Sequence, residues 1–586
     1  MGPVELTQPT LAGMPRVRAP RPAKERAVAA TLPVARVCVD VQPAHLDRLF
    51  DYLVPADLDD AAQPGVRVKV RFGGQDVDGY LLSRHESTEH DGRLVALRRV
   101  VTGEPVLTPE VARLARAVAD RYAGTLADVL RLAVPPRHAR VEAQSHDEAA
   151  QPVSAAVATA WAPYRGGPAL LQHLLTGGRP RAVWTALPGP AGERWADAIA
   201  QAVAACVLGG RGALVVAPDA RDVDRVLAAL ARVGLAASAV RLTADEGPAA
   251  RYRAFLAARR GIARVVVGTR ASVFAPVADL GLVVLWEDGD PLHAEPRAPY
   301  PHAREVLALR AELAGCAALV GGFGRTVEAQ RLLETGWARE VAADRAVVRQ
   351  RTPRVRALTT TELAKEGPAA AARLPAPVFA AMRAALESGP VLVQVPRAGY
   401  VPATACARCH APARCAACTG PLAVEAPGAV PSCRWCGRLA TDWACRECGG
   451  RAMRSVSVGS GRTAEEIGRA FPGFAVRTSG AKGGVLDTVP DRPAIVVATP
   501  GAEPVAEAGY SAAVLLDAAA ATAGEGLAVE PDALRRWLAA AALVRPAGDD
   551  GQVLLVGDGA ARPTQALVRW DPAGLAEREL AERAAL

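Results

Sequence analysis

The chain has 586 residues, half of them apolar, which exceeds what one domain holds at about 100–200 residues each. Charged residues make up 22%, excluding a wholly disordered chain, and no charge-free apolar run reaches the ~18 residues of a membrane helix. The formal charge of +8 points only weakly to nucleic acid: four of the 69 cationic residues are Lys, the rest Arg, and Asn is absent, which is the mark of a codon bias.

Residues 1–30 are basic and Pro-rich without apolar periodicity, and read as a disordered tail. They lack the apolar stretch of a secretory leader, so a cytoplasmic location is expected. Val34–Val39, Phe50–Pro55 and Val66–Phe72 read as strands. Gly73-Gly74 reads as a turn, after which Asp78–Leu82 resumes the sheet. Helices are expected from Pro109 to about Arg121 and over Thr125–Leu132, giving a small β domain with helices over 31–137. Residues 138–180 read as a linker.

Five apolar strands then alternate with amphipathic stretches: Ala182–Leu187, Ala213–Ala217, Ala263–Val267, Leu282–Leu285 and Ala317–Gly321. This pattern predicts a parallel α/β lobe over 181–345. A second α/β lobe over 346–586 is expected from strands near Val391–Val395, Ala494–Ala498, Ala513–Leu516 and Val553–Val556. A cysteine-rich insert, 404–452, interrupts it. The fold class is multidomain α/β: a small N-terminal β domain and two lobes, the second carrying a metal-binding insert.

The insert holds eight of the eleven cysteines as four C-x-x-C turns: Cys406/Cys409, Cys415/Cys418, Cys433/Cys436 and Cys445/Cys448. Each turn offers two thiolates to a tetrahedral ion, so two Zn2+ are expected. Spacing alone leaves nested and sequential pairing open. His410 is surplus to eight thiolates. The zincs either staple only their own module, too small to bury a sufficient core, or also build a contact surface. Residues 397–454 carry eight Arg against three acids, with Trp435 and Trp443 among them, a composition suited to phosphates or a partner as much as to a solvated rim.

Several stretches together resemble primosomal protein N′ (PriA), the replication-restart DNA helicase family. They are Arg48–Pro55, Gly65–Gly73, Ala119–Tyr122 with Gly124 and Leu126–Leu130, Val267–Pro276, and Pro396-Arg397-Ala398-Gly399-Tyr400 ahead of the cysteines. The resemblance implies two RecA-like helicase lobes, a reduced winged-helix region within 138–180, and an N-terminal domain that holds the 3′ end of a nascent strand. By its motifs Phe50 stacks on the terminal base, Asp51 accepts from the 3′-OH and Gly73 permits close backbone approach. Read from the strand alone, Phe50 is equally a core residue and Asp51 a turn residue. A family Lys is matched by Val95.

The nucleotide motifs depart from the family. Pro188-Gly189-Pro190-Ala191-Gly192-Glu193-Arg194 matches the phosphate-binding loop, with Glu193 in place of its Lys and Arg194 in place of its Thr. The Asp-Glu-Glu-His stretch reads Trp286-Glu287-Asp288-Gly289, Ser-Ala-Thr reads Gly322-Phe323-Gly324, and the Arg-rich last motif survives only around Val544–Gly548. Glu287 keeps the water-activating position, but Trp286 cannot hold Mg2+. No catalytic residue is assigned, and ATP and Mg2+ are not expected as cofactors; residual nucleotide binding is left open.

The resemblance and these losses imply a protein that binds branched or forked DNA and single-stranded DNA. It would recruit primosome proteins (the helicase-loading machinery and single-stranded-DNA-binding protein) at the nucleoid, without unwinding. The alternatives are an active ATP-dependent 3′→5′ helicase and a partner-binding zinc protein with no DNA role.

Overall fold

A computed structural model describes residues 26–144, 159–190, 192–358, 374–396, 404–409, 411–424, 429–455, 460–481, 483–524 and 526–586. Most of the basic tail, Ala191, Arg397–Tyr400 and His410 lie outside these. The chain forms two compact units, Met1–Leu107 and Thr108–Leu586.

In the smaller unit five antiparallel strands run in the order β2-β1-β4-β3-β5: β1 Val34–Val39, β2 Leu49–Leu53, β3 Arg67–Phe72, β4 Gln75–His85 and β5 Arg99–Val100. Gly73 and Gly74, with φ of +54° and +81°, make the two-residue hairpin turn between β3 and β4 that a right-handed strand twist requires. The first strand of the order meets the lead-in to the last: Leu53 N–H donates to Val95 O and Leu97 N–H to Leu53 O. The sheet thus curls around a core of alternating residues, Ala35, Val37, Val68, Val70 and Leu81 among them. Ala29 is buried in that core and its N–H donates to Val54 O, so the tail expected to be disordered is docked by residue 29.

The expected helices form at Pro109–Arg121 and Leu126–Ala133, capped by Thr108 and Thr125, whose hydroxyls accept from Val111 N–H and Asp128 N–H. Both helices fall in the larger of the two compact units, Thr108–Leu586. Arg121 pairs with Glu305 at 2.6 Å, and His302 N–H donates to the Tyr122 hydroxyl.

Among the described residues the first lobe has eight strands, not five, in the order β6-β13-β7-β12-β11-β8-β10-β9. The expected five are β7 Arg181–Thr185, β8 Gly212–Val216, β10 Val265–Gly268, β11 Leu280–Trp286 and β12 Ala317–Gly322. The additions are β6 Tyr164–Arg165, β9 Ala239–Leu242 and β13 Arg339–Ala343, all toward the edges, where half-exposed polar residues hide the apolar signal. All pairs are parallel except β6 with β13. Trp161 and Tyr164 are buried in its core, so the lobe begins before 181.

The second lobe is a six-stranded parallel sheet. Its order is Arg354–Ala357, Gln552–Leu555, Ala512–Leu515, Val391–Gln394, Ile495–Ala498, Val476–Ser479. The cysteine-rich module is inserted after Val391–Gln394, beyond the carboxyl end of a central strand. Among the described residues no helix is long and apolar enough to cross a membrane.

Candidate functional site

The eight cysteines gather into two sets of four. Cys406, Cys409, Cys445 and Cys448 form one and Cys415, Cys418, Cys433 and Cys436 the other, all sulfurs within 4.8 Å in each set. The pairing is therefore nested. Close Sγ···Sγ distances are 3.5 Å for Cys406–Cys448, 3.4 Å for Cys409–Cys445, 3.3 Å for Cys418–Cys433 and 3.9 Å for Cys415–Cys436. A tetrahedral ion with Zn–S of ~2.3 Å puts its ligands ~3.8 Å apart, so both sets fit zinc.

All four turns share one backbone plan. The N–H of Cys406, Cys415, Cys433 and Cys445 donates to the carbonyl five residues on, at 2.8 Å each. Positive φ at Gly437 and Gly449 lets two of the turns close. N–H groups of Arg408, Ala417 and Trp435 point at the first sulfur of their turns, each at 3.4 Å. Donation from Cys409 and Arg408 pulls the Cys406 thiol down to about 6, and donation from Cys418 and Ala417 does the same for Cys415. The second thiols of the same turns, Cys409 and Cys418, are pushed up to about 12, their neighbouring sulfurs favouring the protonated form when no ion shares the charge. The two sets are tied together: Trp443 Nε1 donates to Arg414 O at 3.0 Å, and Arg446 Nη2 reaches Cys415 O and Ala416 O at 3.3 Å. Trp443 is buried, whereas Trp435 is 51% exposed between the exposed Arg434 and Arg438.

On the barrel, β2 carries Phe50 and Asp51 on opposite faces. Phe50 pairs with Val37 on the core side. Its half-buried ring meets Phe72 edge-on at 4.9 Å, and the Arg48 guanidinium lies 5.0 Å from its centroid. The Phe72 contact brings Phe50 beside the Gly73 turn. Asp51 pairs with Arg36 on the outer face, Oδ1 3.5 Å from Arg36 Nε. Its Oδ2 accepts from the Thr88 hydroxyl at 2.6 Å, while Thr88 Oγ1 accepts from His90 N–H. Nothing lies within 4 Å of where a Cβ would stand on Gly73. A base on the Phe50 ring and a hydroxyl at Asp51 would straddle the strand, and the base would first displace Arg48. Val95 is 51% exposed and brings no charge.

In the first lobe the matched phosphate loop is drawn into contacts of its own. Glu193 pairs with Arg351 at 2.6 Å, and Arg194 donates to Glu507 O at 2.6 Å. The Arg194 N–H, at the start of helix Trp195–Leu208, is taken by the Asp197 carboxylate at 3.2 Å. An approaching phosphate therefore meets carboxylates where it needs bare N–H groups. Trp195 stacks on Trp286 with centroids 4.3 Å apart and planes 5° apart. Trp286 also meets Phe323 at 5.4 Å and Trp184 at 5.6 Å. Trp286 is 2% exposed. Glu287 follows in the left-handed region, φ +53°, an uncommon place for a residue with a Cβ. It is buried, accepts from Phe323 N–H at 2.8 Å, and faces Arg535 of the second lobe at 3.4 Å. Burial outweighs Arg535 and pushes its carboxyl up to about 7. Arg545, in the remnant of the Arg-rich motif, donates to Ala508 O and Ser388 O within its own lobe.

A family model described as 3′DNA-binding domain (3′BD) matches residues 36–135. The chain is 54% identical over 546 residues to the probable replication restart protein PriA of Mycobacterium tuberculosis, covering 92% of this chain and 82% of that protein. The Mycobacterium leprae protein of the same name is 52% identical over 549 residues, covering 92% of this chain and 83% of that one. The chain belongs to the PriA replication restart family. RecG bound to a three-way DNA junction is a structural neighbour at a TM-score of 0.37 and 12% identity, covering 70% of this chain and 45% of that one. For a PriA-family chain, the residues that pattern reading missed are Arg36 and Thr88 around Asp51, Trp195 beneath Trp286, and Arg535 opposite Glu287. The motif match singled out Trp286 only as a residue unable to hold Mg2+; its burial and its aromatic partners come from the fold.

Proposed function

We propose that this chain is a fork-binding restart protein that acts as a DNA-bound platform and does not hydrolyse ATP. One observation carries this reading. Departures at three separate nucleotide motifs meet in space: Trp195, next to the altered phosphate loop, Trp286 and Phe323 form one aromatic cluster. Phosphoryl transfer is positioning and electrostatics, and it needs a phosphate cradle and Mg2+ ligands. Here indole rings fill that ground and Glu193 adds a negative charge. An active helicase, the alternative, would have to part this stack on every turnover.

The substrates of this reading are forked or branched DNA with a free 3′ end and the adjoining single strand. Asp51 accepts from the 3′-OH, held in place by Thr88 and Arg36. Gly73 gives the strand room for close approach. Phe50 joins Phe72 in the barrel rim and offers its ring once Arg48 swings aside. The zinc module, with Trp435 and its flanking arginines exposed, suits contact with single-stranded DNA or with the primosome proteins that load the replicative helicase. Fork binding by the full chain, compared between 3′-OH and 3′-phosphate leading-strand ends, tests the DNA assignment. Equal affinity for the two ends contradicts it.

A further inference from the structure

A protein that has lost ATP hydrolysis could still carry two hinged lobes. The contacts across this cleft point elsewhere. We propose that the two lobes are fastened into a single body, with Arg535 as the fastener at the mouth of the former nucleotide cleft.

Arg535 projects from helix Val529–Ala541 of the second lobe, and its side chain is 12% exposed. Its Nη1 lies 3.4 Å from Glu287 and 3.2 Å from Asp290, both of the first lobe, while Asp532 on its own helix holds Nη2 at 2.9 Å. Withdrawing one lobe would strip the Glu287 and Asp290 acid groups from a buried guanidinium and leave it Asp532 alone, and buried charges are costly to leave under-compensated. Four further features tie the lobes. Arg194 and Arg221 donate to Glu507 O and Gly501 O of a second-lobe loop. Arg351 holds Glu193 beside the old phosphate loop. Helix Pro572–Ala585, at the end of the second lobe, packs on helix Val327–Glu334 of the first. One continuous apolar cluster includes Val215, Val284 and Trp286 from the first sheet and Leu392, Val496 and Leu515 from the second.

A nucleotide-driven motor opens and closes its cleft in each cycle. Every inter-lobe contact above would break on opening. The residues that remain at the cleft therefore have a mechanical role: Glu287 and Asp290 anchor Arg535, and the lobes present DNA with a fixed surface.

The test is hydrogen exchange and urea unfolding of the full-length zinc-loaded chain, with and without ATP·Mg2+ and forked DNA. The expected result is one unfolding transition shared by both sheets, with exchange at 282–290 and 529–541 unchanged by ATP·Mg2+. Arg535→Ala should raise exchange in those two segments about tenfold or more and split the transition in two. Asp290→Asn, a milder change, should move both readouts the same way by less. Two transitions in the wild type, a nucleotide-induced change in either segment, or unchanged exchange in both variants would overturn the fastening. ATP turnover by the wild type is read separately. If turnover is absent and the lobes still unfold apart, the fastening fails while the platform reading stands.

Discussion

Trp195 and Trp286 lie face to face, 4.3 Å between centroids and 5° between planes, although one opens a helix and the other ends a strand. The stack joins the altered phosphate loop to the altered metal motif, so each change accommodates the other. Offset stacking of such rings adds roughly 0.5–1.5 kcal/mol beyond the area they bury. Trp286→Ala should therefore destabilise the first lobe by about 3–5 kcal/mol, as for other buried large-to-small changes. Urea unfolding monitored by far-ultraviolet circular dichroism measures it. A loss under ~1 kcal/mol would mean the cluster is loosely packed and the cleft accessible.

Glu287 gives a pH signature. Its carboxyl is raised from an ordinary value of 4.5 to about 7, burial being the first cause. A raised pKa means the folded state holds the proton more tightly. The associated stability is fully present below about pH 4.5 and is lost as pH rises to about 7. Glu287→Gln cannot lose that proton. The stability difference between wild type and Glu287→Gln should thus shift against the wild type across this window, by on the order of 3 kcal/mol at most. Denaturant curves at pH 5, 6, 7 and 8 check this. A flat difference would show that Arg535 keeps Glu287 charged throughout.

The metal count is a direct consequence of the nested sets. Purified protein should carry two zincs per chain, and Cys415→Ser at most one, with the two α/β lobes still folded because the module is an insert. Arg446→Ala should keep both zincs but release them faster to a chelator, since Arg446 braces one set against the carbonyls of the other. Metal analysis and chelator kinetics read both. One zinc or none in well-folded wild type would refute the two-site assignment.

At the barrel, a hydrogen bond to a charged acceptor is worth about 1.5–3 kcal/mol. Asp51→Ala should weaken binding to 3′-OH forks roughly ten- to a hundredfold and erase discrimination against a 3′-phosphate. Thr88→Val should lower affinity by less and keep the preference. Phe50→Ala should weaken binding less than Asp51→Ala and cost folding stability, because its ring is shared with Phe72. Titrations of labelled forks separate these outcomes. A preference for 3′-OH that survives Asp51→Ala would return Asp51 to a purely structural pair with Arg36.

The central strands of both lobes were legible in the sequence because a strand buried on both faces is an unbroken apolar run, as in Leu282–Leu285 and Val391–Val395. The edge strands were not. Arg354–Ala357 alternates exposed Arg with half-buried Val and Ala, and carries half the signal. A metal-ligating cysteine set was legible from spacing, but the nested pairing was not, since all four turns are alike until the strands at Thr404–Cys406 and Met453–Ser455 pair and bring the outer turns together. At the proposed 3′-end pocket, the family motif named Asp51. The cross-strand register supplied Arg36, and loop geometry supplied Thr88. The departures from the nucleotide motifs were readable residue by residue, whereas the cluster they form was not, because Trp195, Trp286 and Phe323 meet only in the folded lobe.

Fork engagement without nucleotide turnover is what separates the proposed platform from an active helicase. The direct measurement is ATP hydrolysis by the full-length zinc-loaded protein, at saturating forked DNA bearing a free 3′-OH, with binding confirmed in the same samples. The prediction is bound fork with hydrolysis at background, unchanged in Glu287→Gln and not revived by Glu193→Lys. DNA-stimulated turnover that disappears in Glu287→Gln would contradict it.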